Sequence, residues 1–373
     1  MTAVILFLGF WVVYTYAGYF LVLLLWGRLK KRRLHPGSPP AELPSAVLVI
    51  PVHNEARHLE RKLENALSLE YPRDRLEVVA VDDGSTDGSS AIIERYRERG
   101  VRLIALEANR GKITALNRAI PLTGGAIIVF TDATAEFAPD ALGKLAEAFA
   151  DPDIGAVSGQ LVLREETPQA SGTVRVDAYW KLEKAIRKAE SKIHSVIGAT
   201  GAIWALRREF YRALPSDTIL DDVALPLQAV RAGRRLLFAE EAVAYEMEAA
   251  ASGKEFRRKV RTLAGNYQLF RREPWIFNPA QGIAFQVVSH KLLRLLAPFA
   301  LAGIYVLSWV AGFRALALAQ TVFYLAALEG WRLTSRHRRC PPYFSLPFTF
   351  CLLNCAALGA FIMYFFAPRR LRW

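Results

Sequence analysis

Residues 3–26 carry no charged side chain, and Arg28, Lys30, Lys31, Arg32 and Arg33 follow almost at once. At about 1.5 Å rise per residue, such a run is long enough to cross a hydrocarbon core of roughly 30 Å. A cleaved signal peptide has its basic cluster before a shorter apolar run; here the order is reversed. The run reads as a retained anchor, with the chain that follows it on the cytoplasmic side of the membrane. Whatever the remainder folds into is therefore tied to a bilayer.

The other end repeats the pattern. Residues 295–313 and 343–367 are uncharged, and 315–328 is a shorter run that spans only if it reaches past Glu329 to Trp331. The expectation is one N-terminal and about three C-terminal transmembrane helices. Arg332, Arg336, His337, Arg338 and Arg339 place the last connection in the cytoplasm. Arg369, Arg370 and Arg372 make the C-terminal tail basic as well, which opposes the side that four spans give it. The 48 Lys and Arg outnumber 35 Asp and Glu, for a net charge of +13. This excess gathers at membrane boundaries, where it attracts anionic headgroups. No recognition motif accompanies it, so nucleic acid is not an expected partner. With 53% hydrophobic residues, the chain is not a disordered one. Cys340, Cys351 and Cys355 lie in or beside the last span and read as packing residues, with neither disulfide nor metal spacing.

Between the apolar ends, residues 36–40 (Pro-Gly-Ser-Pro-Pro) form a linker. Strands are expected over 46–52, 76–82, 101–106, 126–132 and 154–160, with helices over 55–69, 89–99, 112–119 and 139–150 between them. Further helices are expected over 175–191 and 223–232. Strands alternating with helices of this length indicate βαβ units on a mainly parallel sheet. Ligands bind such sheets at the carboxyl ends of the strands. There the chain reads Pro51-Val52-His53-Asn54-Glu55, then Val81-Asp82-Asp83-Gly84-Ser85-Thr86-Asp87, then Phe130-Thr131-Asp132-Ala133-Thr134. Any one of these clusters is a turn or helix cap by residue type. Three at one sheet edge point to a polar ligand. Residues 254–272 interleave Lys254, Arg257, Arg258, Lys259 and Arg261 with Phe256, Val260 and Leu263, an amphipathic segment suited to a membrane interface. Residues 275–290, broken by Pro279 and Gly282, read as a second interfacial helix. Tyr179 and Trp180 are of the type that stacks on sugar rings or packs in a core, and packing is expected of at least one.

The ordered motifs PVHNE (51–55), VDDGSTD (81–87), NRGKITALN (109–117), FTDAT (130–134), GATGAIWA (198–205) and ILDD (219–222) resemble those of the membrane-bound family-2 glycosyltransferases. That group has a GT-A fold and includes the cellulose, hyaluronan and poly-N-acetylglucosamine synthases. The resemblance covers most of residues 45–275. It implies an α/β, Rossmann-like cytoplasmic domain over 45–253. Around it lie an anchor over 1–27, a linker over 28–44, interfacial helices over 254–291 and C-terminal spans over 292–373. It further implies that Glu55, Asp82 and Asp83 hold the uridine of a UDP-sugar, and that Asn109 and Lys112 lie beside the ribose and diphosphate. Asp132, the first acid of the DxD motif, would hold a divalent cation, Mg²⁺ or Mn²⁺. Asp222 would be the catalytic base, with Thr200 and Gly201 near the acceptor. Two positions depart from the family. Thr134 replaces the second DxD acid, and the QxxRW motif is incomplete around residues 257–262, which puts processive synthesis in doubt.

The chemistry expected is inverting transfer to a lipid-linked saccharide or growing exopolysaccharide. Arg258 and Arg261 would add charge at the diphosphate, because the guanidinium fork suits phosphate oxygens. Other export subunits are possible partners. The rival readings are a processive synthase and a nucleotide-sugar-binding subunit without turnover.

Overall fold

The computed structural model describes residues 1–29, 42–164, 177–247, 252–336 and 338–367. The basic cluster 30–33, the linker 36–40, His337 and the tail 368–373 lie outside the described residues, as do the side chains of Tyr179, Trp180 and Lys254. The chain divides into two compact units, one of residues 31–164 and 190–248, the other of residues 1–30, 165–189 and 249–373.

The first unit is built on an eight-stranded sheet of order β3-β2-β1-β4-β7-β6-β8-β5. Its strands are β1 (Ala46–Val52), β2 (Leu76–Asp83), β3 (Val101–Leu106), β4 (Ile127–Phe130), β5 (Glu136–Phe137), β6 (Ile154–Arg164), β7 (Trp204–Arg207) and β8 (Arg235–Met247). β1 pairs in parallel with both β2 and β4, and β2 pairs in parallel with β3. Ala-Val-Leu-Val-Ile opens β1 as an unbroken buried run, as expected where helices cover both faces of a parallel sheet. The alternation expected from sequence is present over this half. Beyond β4 the sheet changes character. β7 runs antiparallel to β4 and β6, β5 runs antiparallel to β8, and β6 and β8 are parallel. Phe130 on β4 stacks on the fully buried Trp204 of β7, with ring centroids 4.0 Å apart.

In the second unit, three helices are long and apolar enough to cross a membrane, Thr2–Leu29, Ala284–Val310 and Pro342–Phe366. The expectation of about three C-terminal spans is corrected to two among the described residues. Arg314–Ser335 is a continuous 22-residue helix, but Arg314, Glu329 and Arg332 keep it from matching the other three in apolar character. The reading of 275–290 as one interfacial helix also changes. Pro274–Phe277 and Pro279–Gln281 are short 3₁₀ turns, and the span begins at Ala284. Its polar residues enter the helix because protein covers them. Gln286, Ser289 and His290 are buried, and the Glu183 carboxylate meets His290 Nε2 and Arg294 Nη1 at 2.9 Å each. The basic helix Ser252–Arg272 buries Val260, Ala264 and Tyr267, and packs against Pro342–Phe366. Much of its apolar face thus rests on protein.

Candidate active site

The carboxyl ends of β1, β2 and β4 lie side by side because these strands are neighbours in register, Val52 opposite Asp82 and Val49 opposite Phe130. The residues after them form one edge of the first unit. Asp82 and Asp83 close β2 and are buried. Asp82 Oδ1 accepts from the Ser85 amide at 3.0 Å and the Ser85 hydroxyl at 2.5 Å, and Oδ2 accepts from the Ser90 hydroxyl. Asp83 reaches the next loop, where its two oxygens accept from the amides of Arg110 at 2.9 Å and Gly111 at 2.7 Å. His53 joins the same assembly. Its Nδ1 lies 2.9 Å from the Asp83 carbonyl and its Nε2 2.8 Å from Asn109 Nδ2. Gly84 adopts φ +66°, and a Cβ there would lie 2.5 Å from the Ala108 carbonyl carbon. Only glycine lets the loops after β2 and β3 approach this closely. Asn109, Asp82 and Asp83 are therefore one hydrogen-bonded group, built of backbone amides and short polar side chains.

Glu55 precedes the helix Ala56–Leu67 and is half-buried. Burial raises its carboxyl above the usual value; His58 opposes this, while Asp87, Asp132 and Glu246 add to it.

Lys112 begins the helix Lys112–Ala119. Its ammonium bridges Asp132 Oδ1 at 3.0 Å and Asp221 Oδ2 at 3.1 Å. Burial works against the charge, but Asp132 and then Asp221 more than offset it, and the ammonium is held well above its ordinary value. Asp221 and Asp222 occupy the first turn of the helix Asp221–Arg231, where the dipole favours carboxylates. Gly201 marks where Asp132 and Asp222 converge. A Cβ built there would lie 3.3 Å from Asp222 Oδ2 and 3.7 Å from Asp132 Oδ2. The loop is held in place by Thr200, whose hydroxyl donates to the Gly159 carbonyl at 3.0 Å.

This point suits a hard divalent cation. Among the described residues no three acidic, histidine or cysteine side chains form a closed cage. Mg²⁺ and Mn²⁺ sites commonly use one or two carboxylates and leave the remaining positions to phosphate and water. Asp132 beside a side-chain-free glycine provides one such carboxylate and the room for the other ligands.

Two neighbours of this point escaped the sequence reading. The Thr134 hydroxyl donates to Glu246 Oε1 at 2.8 Å, so β8 brings a carboxylate beside Thr134. Nothing in the sequence links residues 134 and 246. Lys62 lies behind the Asp132 loop, 1% exposed. Burial pushes its ammonium down to about 7, against the pull of Asp132 and Glu136. A signal for it was present, since Lys62 falls in the stripe Leu59, Leu63, Ala66 that the helix turns inward. Arg258 and Arg261 belong to the helix Ser252–Arg272 of the second unit, Arg258 exposed and Arg261 half-buried.

Residues 47–214 match the family described as glycosyl transferase family 2. Poly-beta-1,6-N-acetyl-D-glucosamine synthase of Staphylococcus epidermidis is 24% identical over 228 residues, 60% of this chain and 55% of the relative. The synthase of the same name from Staphylococcus aureus (strain COL) is 24% identical over 237 residues, 62% of this chain and 57% of the relative. The chain thus spans little more than half the length of these relatives. Among solved structures, mannosyltransferase PcManGT from Pyrobaculum calidifontis, in complex with GDP-Man and Mn²⁺, superposes with a TM-score of 0.76 at 26% identity, over 98% of both chains. The mixed, mainly parallel sheet is accordingly a GT-A fold.

Proposed function

We propose that this chain, which carries a glycosyl transferase family 2 domain over residues 47–214, is a membrane-anchored glycosyltransferase that moves one sugar from a nucleoside diphosphate sugar to a lipid-linked saccharide. The observation that carries this reading is the convergence of Asp132 and Asp222 on Gly201, with Lys112 bridging Asp132 and Asp221. It combines a cation-binding carboxylate, a fixed positive charge and a base within one edge of the sheet.

Asp82 and Asp83 take the base and ribose of the donor, with Glu55 beside them and Asn109 toward the diphosphate. A divalent cation on Asp132 would supply Lewis-acid neutralisation of the departing diphosphate. Lys112 adds a charge that needs no reorganisation as the leaving group becomes more negative. Arg258 and Arg261 are candidates for the same role by resemblance. Asp222 accepts the proton of the acceptor hydroxyl, an effect on the order of 10²–10⁴-fold. The acceptor oxygen bonds to the anomeric carbon as the bond from that carbon to the phosphate oxygen breaks. With one base and no carboxylate nucleophile assigned, the configuration inverts. The catalytic edge faces the cytoplasm, where nucleotide sugars are at hand.

The donor expected from the motifs is a UDP-sugar, and the partial likeness to the poly-N-acetylglucosamine synthases favours UDP-N-acetylglucosamine. The likeness to a GDP-Man-bound mannosyltransferase extends over 98% of both chains, and for that reason we put GDP-mannose first among the donors to test. The test is nucleotide release by the full chain in nanodiscs, with GDP-mannose, UDP-glucose and UDP-N-acetylglucosamine, Mn²⁺, Mg²⁺ or EDTA, and a membrane-lipid extract as acceptor. Cation-dependent release that falls about 10²-fold or more in Asp222→Asn, with donor binding retained, is the expected result. Donor binding without release by the wild type would favour the non-catalytic subunit instead. A product longer than one added sugar would favour the processive synthase.

A further inference from the structure

We propose that Lys62 is a positioning residue for the cation-binding carboxylate, an inference that rests on the glycosyltransferase reading of the same site. The helix Ala56–Leu67 buries Leu59, Lys62, Leu63 and Ala66. A lysine here is chemically out of place, because an apolar side chain of similar volume would fill the stripe without desolvating a charge. Replacing buried charges by well-packed apolar groups is often neutral or stabilising. Stability alone therefore gives little reason for an ammonium here.

Its contacts give another. Nζ donates to Thr131 Oγ1 at 2.8 Å and to the Ala135 carbonyl at 2.5 Å, and lies 4.8 Å from the centre of the Phe137 ring. Residues 131 and 135 are the two shoulders of the loop that carries Asp132. The loop is closed by the Ala135 amide, which donates to the Asp132 carbonyl at 3.2 Å. Lys62 thus staples both shoulders to a rigid helix. One turn on, Asn65 continues the attachment by exchanging two hydrogen bonds of 2.8 Å with the backbone of Phe137. Outer groups that orient a metal ligand typically change metal affinity by about 10–100-fold when removed. Lys62 acts in this way on Asp132, through the backbone and without touching the donor.

The test uses the full chain in nanodiscs. Free Mn²⁺ is followed by electron paramagnetic resonance during titration with and without GDP or UDP, beside kcat and KM for donor and Mn²⁺. In Lys62→Met the nucleotide-dependent affinity for Mn²⁺ should weaken at least tenfold. Excess Mn²⁺ should restore kcat to within about threefold, and the thermal midpoint should not fall. Thr131→Val removes one of the two staples from the other side and should weaken Mn²⁺ by a smaller factor. Combined with Lys62→Met, it should add little. If Lys62→Met does not fold, Thr131→Val and Lys62→Arg decide, the first predicted to lose affinity with its fold intact. Unchanged Mn²⁺ affinity in Lys62→Met, or in Thr131→Val where Lys62→Met does not fold, overturns the positioning role and leaves the proposed function standing. A wild type that holds no Mn²⁺ with either nucleotide overturns both.

Discussion

Two groups of carboxylates stand at the same edge of one sheet, and they are held in opposite ways. Asp82 and Asp83 are buried and receive five hydrogen bonds from hydroxyls and backbone amides of adjacent loops. Asp132 and Asp221 share one ammonium, that of Lys112. The first group is held by the protein's own donors, and the second is arranged around the Lys112 ammonium. Under the proposed function, recognition of the donor belongs to the first group and neutralisation of the leaving group to the second, a rigid half and an exchangeable half of one edge.

The largest expected effect tests the exchangeable half. Asp132→Asn should lower turnover on the order of 10²–10³-fold, since a cation supplies several kcal/mol of charge stabilisation. It should also abolish the difference between Mn²⁺ and EDTA in the release assay. If that difference persists, the cation is held elsewhere. The rigid half is tested by Asp83→Asn, which weakens two charge-assisted bonds to the loop at Arg110 and Gly111. A loss of about 1.5–3 kcal/mol is expected. It should appear as a 10–100-fold rise in the donor KM with kcat little altered. An equal fall in kcat would erase the division of labour.

A third prediction concerns pH and needs no substrate. Burial lowers Lys62 to about 7, whereas an unfolded lysine titrates near 10.4. Between those values the unfolded chain binds the additional proton, so folded stability rises with pH. The stability of the wild type relative to Lys62→Met should therefore climb from pH 7 to 10. The slope should be no more than about 1.4 kcal/mol per pH unit, and the difference should level off below about pH 7, where folded and unfolded chains hold the same proton. Asp132 and Glu136 are the charges that face this ammonium, so Asp132→Asn should shift the curve to lower pH. A pH-independent difference in chemical denaturation would contradict this. The smallest effect belongs to Thr134→Val, which removes the bond to Glu246. It should change Mn²⁺ affinity by about threefold, in keeping with about 0.5–1.5 kcal/mol for one hydrogen bond. A loss of about 100-fold, more than one hydrogen bond accounts for, would give Glu246 a direct part in cation binding.

The sequence was most readable where chemistry and strand are adjacent in the chain. β1 and β3 fall at the residues expected, and β2 differs by one. Each of the motifs after β1, β2 and β4 follows its strand directly, so the sheet edge that gathers Glu55, Asp82, Asp83 and Asp132 could be read from alternation alone. The reading assigns no strand beyond residue 160. β7 and β8 were missed because β7 is only four residues long and both pair with β6, a partner distant in the chain. The C-terminal spans were overcounted because 315–328 counts only on a reach past Glu329 to Trp331, and the full helix Arg314–Ser335 is not apolar enough over that length.

By itself, then, the sequence determined the apolar ends, the parallel half of the sheet and the order of acidic motifs along its edge. These depend on periodicity and on residues that are neighbours in the chain. Only the tertiary structure decided that Asp222 meets Asp132 at Gly201, that Glu246 answers Thr134, and that Lys62 holds the Asp132 loop from behind. Each of these joins residues 69 to 112 positions apart or on different strands and helices. A side chain's partner across such a distance is chosen by strand pairing and helix packing, and no local pattern records it.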